Sequence, residues 1–166
     1  MTVKCSGVFK WVKRDVDGTV LDSGEFPNGW TTSGINNMLS VYFNSGTQIT
    51  TWYVGLVNNS GFSAFAASDT ISSHGGWTEI TSTYSESVRQ TWDPATPASG
   101  TIGSDASMTF TATGSGFSAK GAFVVSNSTK GGTTGQLFST GAFGSVQTLT
   151  AGQTLSITYS GTITPT

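Results

Sequence analysis

The sequence predicts a mainly-β, single-domain protein with a β-sandwich or jelly-roll-like fold and one short α-helix near residues 32–43. The composition is the first observation, because 28 Thr, 24 Ser and 22 Gly among 166 residues, with only 10% charged residues, favour short strands. The second is the alternation of apolar and polar residues in short runs separated by turn signals. The third is that only one segment has helical periodicity. One domain, residues 1–166, suits this length, and a partly closed barrel also fits the pattern.

The N-terminal segment, residues 3–26, is predicted to form a β-hairpin. One strand runs through Val8 to Lys13, and a return strand starts at Thr19. Asp17 and Gly18 lie between them, and an Asp-Gly pair supplies the positive φ angles that a tight turn needs.

The predicted helix over residues 32–43 has both a start and a stop signal. Thr32 or Ser33 can cap its N-terminus, and Gly46 is placed to end it. Its apolar residues recur every three to four positions: Ile35, Met38, Leu39 and Tyr42. This spacing places an apolar stripe on one side of the helix.

The rest of the chain is predicted to consist of strands and turns. Residues 47–57 carry apolar side chains in both alternating sets, which is typical of a strand buried on two sides. Residues 72–92 are predicted to form two strands, or one bent strand, anchored by Trp77 and Trp92. Further strands are expected in three later segments: residues 107–114, 121–127 and 154–164.

Charge and cysteine content exclude several classes of protein. A net charge of −2 and a pI near 5.1 do not provide the basic surface of a nucleic-acid-binding protein. Cys5 is the only cysteine, so neither an intrachain disulfide nor a zinc site of the usual composition is expected. We expect no signal peptide, no membrane association and folding in the cytoplasm, because no apolar run approaches about 20 residues.

His74 is the only histidine, and its neighbours include the residue types of a hydrolase triad. Ser72 and Ser73 precede it directly, and Asp69 lies upstream. A triad needs a base that reaches the nucleophile while a third group orients the base, and adjacent residues in a Gly-Gly loop seldom meet that condition. We therefore interpret His74 as a hydrogen-bonding loop residue.

Two glutamates and a lysine are the other catalytic candidates. Glu79 and Glu86 have the residue type of a glycosidase acid pair, although surface carboxylates on strands are far commoner. Lys130 in "KGGTTG" lacks the residue order of a phosphate-binding loop and is predicted to lie in a hairpin loop.

Asp15 and Asp17 in "DVDG" resemble the start of a calcium loop. Thr19 and Leu21 stand where further oxygen ligands should follow, so a plain turn is the better interpretation. The sequence thus predicts no catalytic residue, no metal site and no cofactor.

The N-terminal strand supplies the candidate interface, because it combines basic charge with large apolar residues. The candidate residues are Lys4, Val8, Phe9, Lys10 and Trp11. The alternative is that Phe9 and Trp11, which share one face of the strand, point into the domain's own core.

The order of motifs along the chain resembles that of small structural proteins encoded by tailed bacteriophages. The segments that carry this resemblance are "TTSGINNML", "TQITTWYVGLVNNSGFSAFAASDTISSHGGWTEITSTYSESVRQTW", "GAFVVSNSTKGGTTGQLFSTGAF" and "AGQTLSITYSGTIT". The resemblance implies a non-enzymatic virion protein, made in the host cytoplasm. A capsid decoration or cement protein is the expected type, binding the major capsid protein or other virion proteins and often forming a homo-oligomer.

Two other functions stay open at this point. One is a tail- or fibre-associated receptor-binding module, in which exposed Trp30 or Trp52 would stack on host glycans. The other is an enzyme that acts on a cell-surface polymer, which would depend on Glu79, Glu86 and His74.

Overall fold

The structure, a computed structural model, describes residues 2–165 and confirms the predicted mainly-β class, with 50% strand and 7% helix. Within this range nine strands and one helix follow in order. They are β1 (Val3–Arg14), β2 (Val20–Trp30), α1 (Thr32–Phe43), β3 (Trp52–Asn58), β4 (Gln90–Trp92), β5 (Thr101–Gly103), β6 (Met108–Thr111), β7 (Phe117–Val125), β8 (Leu137–Leu149) and β9 (Thr154–Pro165).

The nine strands form one antiparallel sheet that curls into a half-barrel. Its strand order is β4-β3-β7-β8-β2-β1-β9-β5, and β6 also pairs with β9. The two ends of the sheet meet where Pro94 bridges to Ser104, and the amide of Ala95 donates to the carbonyl of Gly103 at 2.8 Å. The curl therefore encloses a core and leaves few strand edges unpaired.

The N-terminal hairpin has its turn at the predicted position, although its second strand continues to Trp30. Gly18 adopts a φ of +89°, and the amide of Thr19 donates to the Asp17 carboxylate at 2.8 Å. This hydrogen bond lowers the pKa of Asp17. Because β1 lies between β2 and β9, the hairpin is central in the sheet.

The core inside the curl is rich in aromatic side chains. The Phe9 ring stacks on the Phe26 ring, with their centroids 5.1 Å apart. It also contacts the Tyr159 ring, with a centroid distance of 5.0 Å. The alternation predicted for the last strand is confirmed, since Leu155, Ile157 and Tyr159 are all buried. Burial of each such side chain contributes about 1.5 to 3 kcal/mol, so the interior of the curl is the main source of stability.

A second apolar cluster covers the outer face of β3 and β7. Val57 and Phe123 pack there against Trp77 from the long segment between β3 and β4. Val54 and Leu56 face the interior of the curl, so burial on two sides is confirmed for β3. The strand starts at Trp52, however, and residues 47–51, which were predicted to belong to it, are not in a strand.

Helix α1 has the predicted bounds but a different cap. Thr31 caps it, with extended backbone angles, and its Oγ1 accepts from the amide of Gly34 at 3.0 Å. The same hydroxyl donates to the carbonyl of Leu137 at 2.6 Å, which ties the helix to β8. At the other end Ser45, not Gly46, has the left-handed conformation, with a φ of +54°.

We expect Thr31→Ala to lower the free energy of unfolding by about 1 to 2 kcal/mol, because it removes the cap and the bond to Leu137. Chemical denaturation measures this change. Thr32→Ala is the matched control, since Thr32 is exposed one position later. An equal loss of unfolding free energy in the two variants would contradict the assignment of Thr31 as the cap.

Candidate functional site

His74 and Asp69, the triad candidates, both bind Trp77 instead of each other. The His74 ring stacks on the Trp77 indole with centroids 3.9 Å apart, and its Nδ1 donates to the Trp77 carbonyl at 2.9 Å. The Asp69 carboxylate accepts from the indole N–H of Trp77 at 2.9 Å and from the amide of Ala66 at 3.0 Å. These contacts fix the loop that covers β3 and β7.

Glu79 lies in a buried ion pair, so its interpretation as a surface carboxylate was wrong. Its two carboxylate oxygens each accept from the guanidinium of Arg89 at 2.8 Å. The Arg89 side chain is fully buried, and that of Glu79 is only 6% exposed. Arg89 also donates to the carbonyls of Asn127 and Gly132, while the amide of Gly131 donates to Glu79 at 2.7 Å. The pair therefore joins two distant loops.

Glu86 and Lys130 make a second set of contacts beside this ion pair. The Glu86 carboxylate accepts from the amide of Thr111 at 3.1 Å, and Lys130 Nζ donates to the Glu86 carbonyl at 2.6 Å. Lys130 Nζ also lies 3.8 Å from the centre of the Tyr84 ring. Partial burial lowers the pKa of Lys130, although Glu79 and Glu86 oppose this shift. Lys130 lies between β7 and β8, in the predicted hairpin loop.

The calcium candidates Asp15 and Asp17 lie in the β1–β2 turn. Asp15 accepts from the side-chain amide of Gln153 at 3.2 Å, and Asp17 accepts from Thr19. Within residues 2–165, no three Asp, Glu, His or Cys side chains are grouped so that they could hold a metal ion.

The candidate interface residues divide between the two faces of β1. Phe9 and Trp11 are buried in the core, and Trp11 contacts Phe143 edge-on at 5.7 Å. The alternative placement in the core is therefore the one the structure has, because strand alternation turns both rings inward. Lys4 and Lys10 are exposed and Val8 is half-buried on the outer face, and their role in an interface stays a prediction.

A recess lined mainly by apolar side chains lies beside α1. We call it the α1 groove; its volume is about 600 Å³. In its wall the Phe138 ring contacts two tryptophan rings, with centroid distances of 4.8 Å to Trp30 and 5.4 Å to Trp52. Met38 from α1 and Ile163 from β9 both line the groove, and none of the described lining residues is charged.

The outer edge of the α1 groove is an exposed aromatic surface. Tyr42 is 81% exposed and Phe43 78%, and their rings pack edge to face at 4.9 Å. Leu39 adds a further exposed apolar side chain. Of the α1 residues only Gly34 is buried, because the helix begins against β8 and its last turns lie away from the core. We call Leu39, Tyr42 and Phe43 the α1 patch.

The sequence indicated parts of this site without joining them. The receptor-binding alternative requires an exposed Trp30 or Trp52, and the structure places both, half-buried, in one groove. The apolar stripe of α1 was also predicted, but its exposure was not. The adjacent Tyr42 and Phe43 were the available signal, because two large rings in succession at a helix end cannot both point inward.

No protein-family model matches the sequence, and no curated protein or solved structure matches it either. Within residues 2–165, no helix has both the length and the apolar character needed to cross a membrane.

Proposed function

We propose that the chain is a non-enzymatic structural protein of a tailed-bacteriophage virion, a decoration or cement protein that attaches to the assembled shell through the α1 patch. The observation that carries this proposal is the exposure of Leu39, Tyr42 and Phe43 beside an uncharged groove. Large exposed apolar side chains that are contiguous mark interaction surfaces, whereas scattered ones are ordinary.

The chemistry of the patch suits a protein partner. Aromatic residues are enriched at the centres of interfaces, while charged residues are depleted there. Tyr42 and Phe43 provide large rigid rings that lose little conformational entropy when a partner covers them. The sequence candidates for catalysis support the same proposal, since Glu79, Glu86 and His74 hold loops through the contacts described above.

A receptor-binding module of the tail or fibre is the second candidate, favoured by the presence of Trp30 and Trp52 in one groove. Aromatic rings stack on sugar faces, but a glycan also needs many hydrogen-bonding partners. The polar side chains that line the groove are few and include Asn37, Gln48 and Thr101. A shell protein with apolar side chains fits this lining better.

The double variant Tyr42→Ser/Phe43→Ser is expected to weaken co-sedimentation with purified shells by at least about tenfold, as loss of aromatic anchors does. Its melting temperature should stay close to that of the wild type, because both rings are mostly exposed.

Val16→Ser/Val20→Ser is the matched control, since both valines are exposed at the hairpin turn, away from the patch. The control should bind shells normally. Normal binding by the Tyr42/Phe43 variant would contradict attachment through the α1 patch, and wild-type binding to host cells but not to shells would favour the receptor-binding module.

A further inference from the structure

The α1 patch and the α1 groove are two parts of one continuous surface. Leu39, Tyr42 and Phe43 belong to the residues that line the groove, yet the Tyr42 and Phe43 side chains are mostly exposed. The two rings therefore project into solvent at the border of a recess that they do not fill. The molecule thus carries both halves of a contact: a pair of projecting rings and an apolar recess that can receive such a pair.

The groove has room for two aromatic side chains. Its volume is about 600 Å³, whereas an apolar cavity of about 150 Å³ is enough to bind benzene. Trp52 and Phe138 provide ring surfaces in the wall, and Met38 provides a flexible apolar side chain that adapts to an inserted ring. The rings of Tyr42 and Phe43 therefore match the groove in size and in chemistry.

Charge favours a second copy of the chain as the occupant. The chain has a net charge of −2, so two copies repel each other when their charged surfaces meet. The patch and the groove avoid this repulsion, because none of the described residues that line them is charged. An identical copy can therefore cover this surface without burying a charge or placing like charges together.

Twofold symmetry brings each patch onto the groove of the other copy. In a symmetric dimer both copies use the same surface, so a contact from one residue to another is repeated in the opposite direction. Because the patch and the groove adjoin, a twofold axis along their border places both pairs of rings over the opposing grooves at once. The contact is then made twice, and no patch is left free for a third copy.

The area that this exchange buries is sufficient for a dimer. Since an aromatic side chain has about 150 to 250 Å² to bury, the exposed parts of Tyr42 and Phe43 amount to roughly 300 Å² in each copy. The opposing groove loses a similar area, so exchange of both patches buries roughly 1,200 Å² in all, the lower limit of stable interfaces. The partly exposed Leu39 adds to this area.

We infer that two copies of the chain form a symmetric dimer in solution, with Tyr42 and Phe43 of each copy inserted into the α1 groove of the other. The dimer does not depend on attachment to a shell. It does imply a competition, because a dimer has to dissociate before its patches can contact a shell.

The wild-type protein tests the contact directly. Sedimentation equilibrium should show a reversible dimer. Protein with ¹³C-labelled methionine methyl groups is then mixed with an equal amount of unlabelled protein. Met38 lines the groove, while Met108 is buried in the core. We expect isotope-filtered NOEs from the Met38 methyl group to the Tyr42 and Phe43 rings of the other copy, and none from Met108.

Two variants remove different halves of the contact. Tyr42→Ser/Phe43→Ser removes the rings and keeps the groove, whereas Ile163→Glu keeps the rings and places a charge in the groove. Each should weaken dimerisation at least about tenfold. A mixture of the two variants should associate at least about tenfold more tightly than either alone, because the rings of one then enter the intact groove of the other. Val16→Glu, at an exposed position of the hairpin, is the matched control and should dimerise like the wild type.

Four results would each overturn the inference: a wild type that stays monomeric at millimolar concentration, a dimer without NOEs from Met38, a dimer that both variants leave unchanged, or a mixture no tighter than the separate variants. The NOE measurement uses the wild type, so it decides the question even where a variant does not fold.

Co-sedimentation with shells separates this inference from the proposed function. Ile163→Glu keeps the α1 patch, so it should bind shells although it does not dimerise. A wild type that forms the dimer described but does not bind shells would support the inference and contradict the proposed function. Shell binding by a wild type that stays monomeric would do the reverse.

Discussion

Arg89→Ala is expected to lower the free energy of unfolding by about 3 to 5 kcal/mol, because it leaves the buried Glu79 carboxylate without its partner. Arg89 donates four hydrogen bonds, two to Glu79 and two to the carbonyls of Asn127 and Gly132. Its guanidinium also lies 5.3 Å from the centre of the Phe123 ring. Chemical denaturation followed by tryptophan fluorescence measures the loss.

A double-mutant cycle isolates the pair from the rest of the loop. Glu79→Leu should also be strongly destabilising, because it leaves the buried guanidinium of Arg89 without its carboxylate partner. The double variant Glu79→Leu/Arg89→Met should cost less than the sum of the single variants, because no buried charge is left unpaired. Lys10→Ala, at an exposed position, is the control and should stay within about 0.5 kcal/mol of the wild type. A loss below about 1 kcal/mol for Arg89→Ala would contradict a structural role for the pair.

The ion pair explains how a chain with few charged residues keeps two long loops in place. Glu79 and Arg89 lie between β3 and β4, and Asn127 and Gly132 belong to the β7–β8 loop. Gly55 makes room for this arrangement, because a Cβ there would overlap the Phe123 ring and would lie 3.0 Å from a Glu79 oxygen. A Gly55 substitution would therefore disturb the ion pair and the second apolar cluster together.

Some elements with local periodicity could be predicted from the sequence, whereas the strands predicted for residues 72–92 were wrong except for β4, Gln90–Trp92. Alternation along Leu155, Ile157 and Tyr159 gave the buried face of β9, and the spacing from Ile35 to Tyr42 gave the bounds of α1. These patterns depend only on the repeat of a strand or a helix, so no knowledge of the partner elements is needed.

The site depends on contacts between distant parts of the chain, which periodicity does not describe. Trp30, Trp52 and Phe138 belong to three different strands and meet only when β2, β3 and β8 are assembled in one sheet. Arg89 looks like an ordinary exposed strand residue in the sequence, because alternation cannot tell which loop will cover it. The same reason applies to α1, whose stripe is visible in the sequence while its exposure depends on how the helix leaves β8.

The hairpin shows where a local pattern leaves two answers that only tertiary structure separates. Phe9 and Trp11 share one face of β1, and Val8 and Lys10 share the other. Either face was a candidate for a partner surface. In the curled sheet the aromatic face of β1 points into the core, because burying two large rings stabilises the fold more than burying Val8 and the apolar stem of Lys10 would.

Phe9→Ala is accordingly expected to lower the free energy of unfolding by about 3 to 5 kcal/mol, the usual cost of truncating a buried Phe. Phe9 is fully buried between Phe26 and Tyr159, so the cavity has no simple way to collapse. Phe9→Leu, which fills part of the space, should cost less and provides a folded variant if Phe9→Ala does not fold. Lys10→Ala is again the control. If Phe9→Leu keeps its stability but loses shell binding, whereas Lys10→Ala keeps both, Phe9 would belong to an interface and its place in the core would be contradicted.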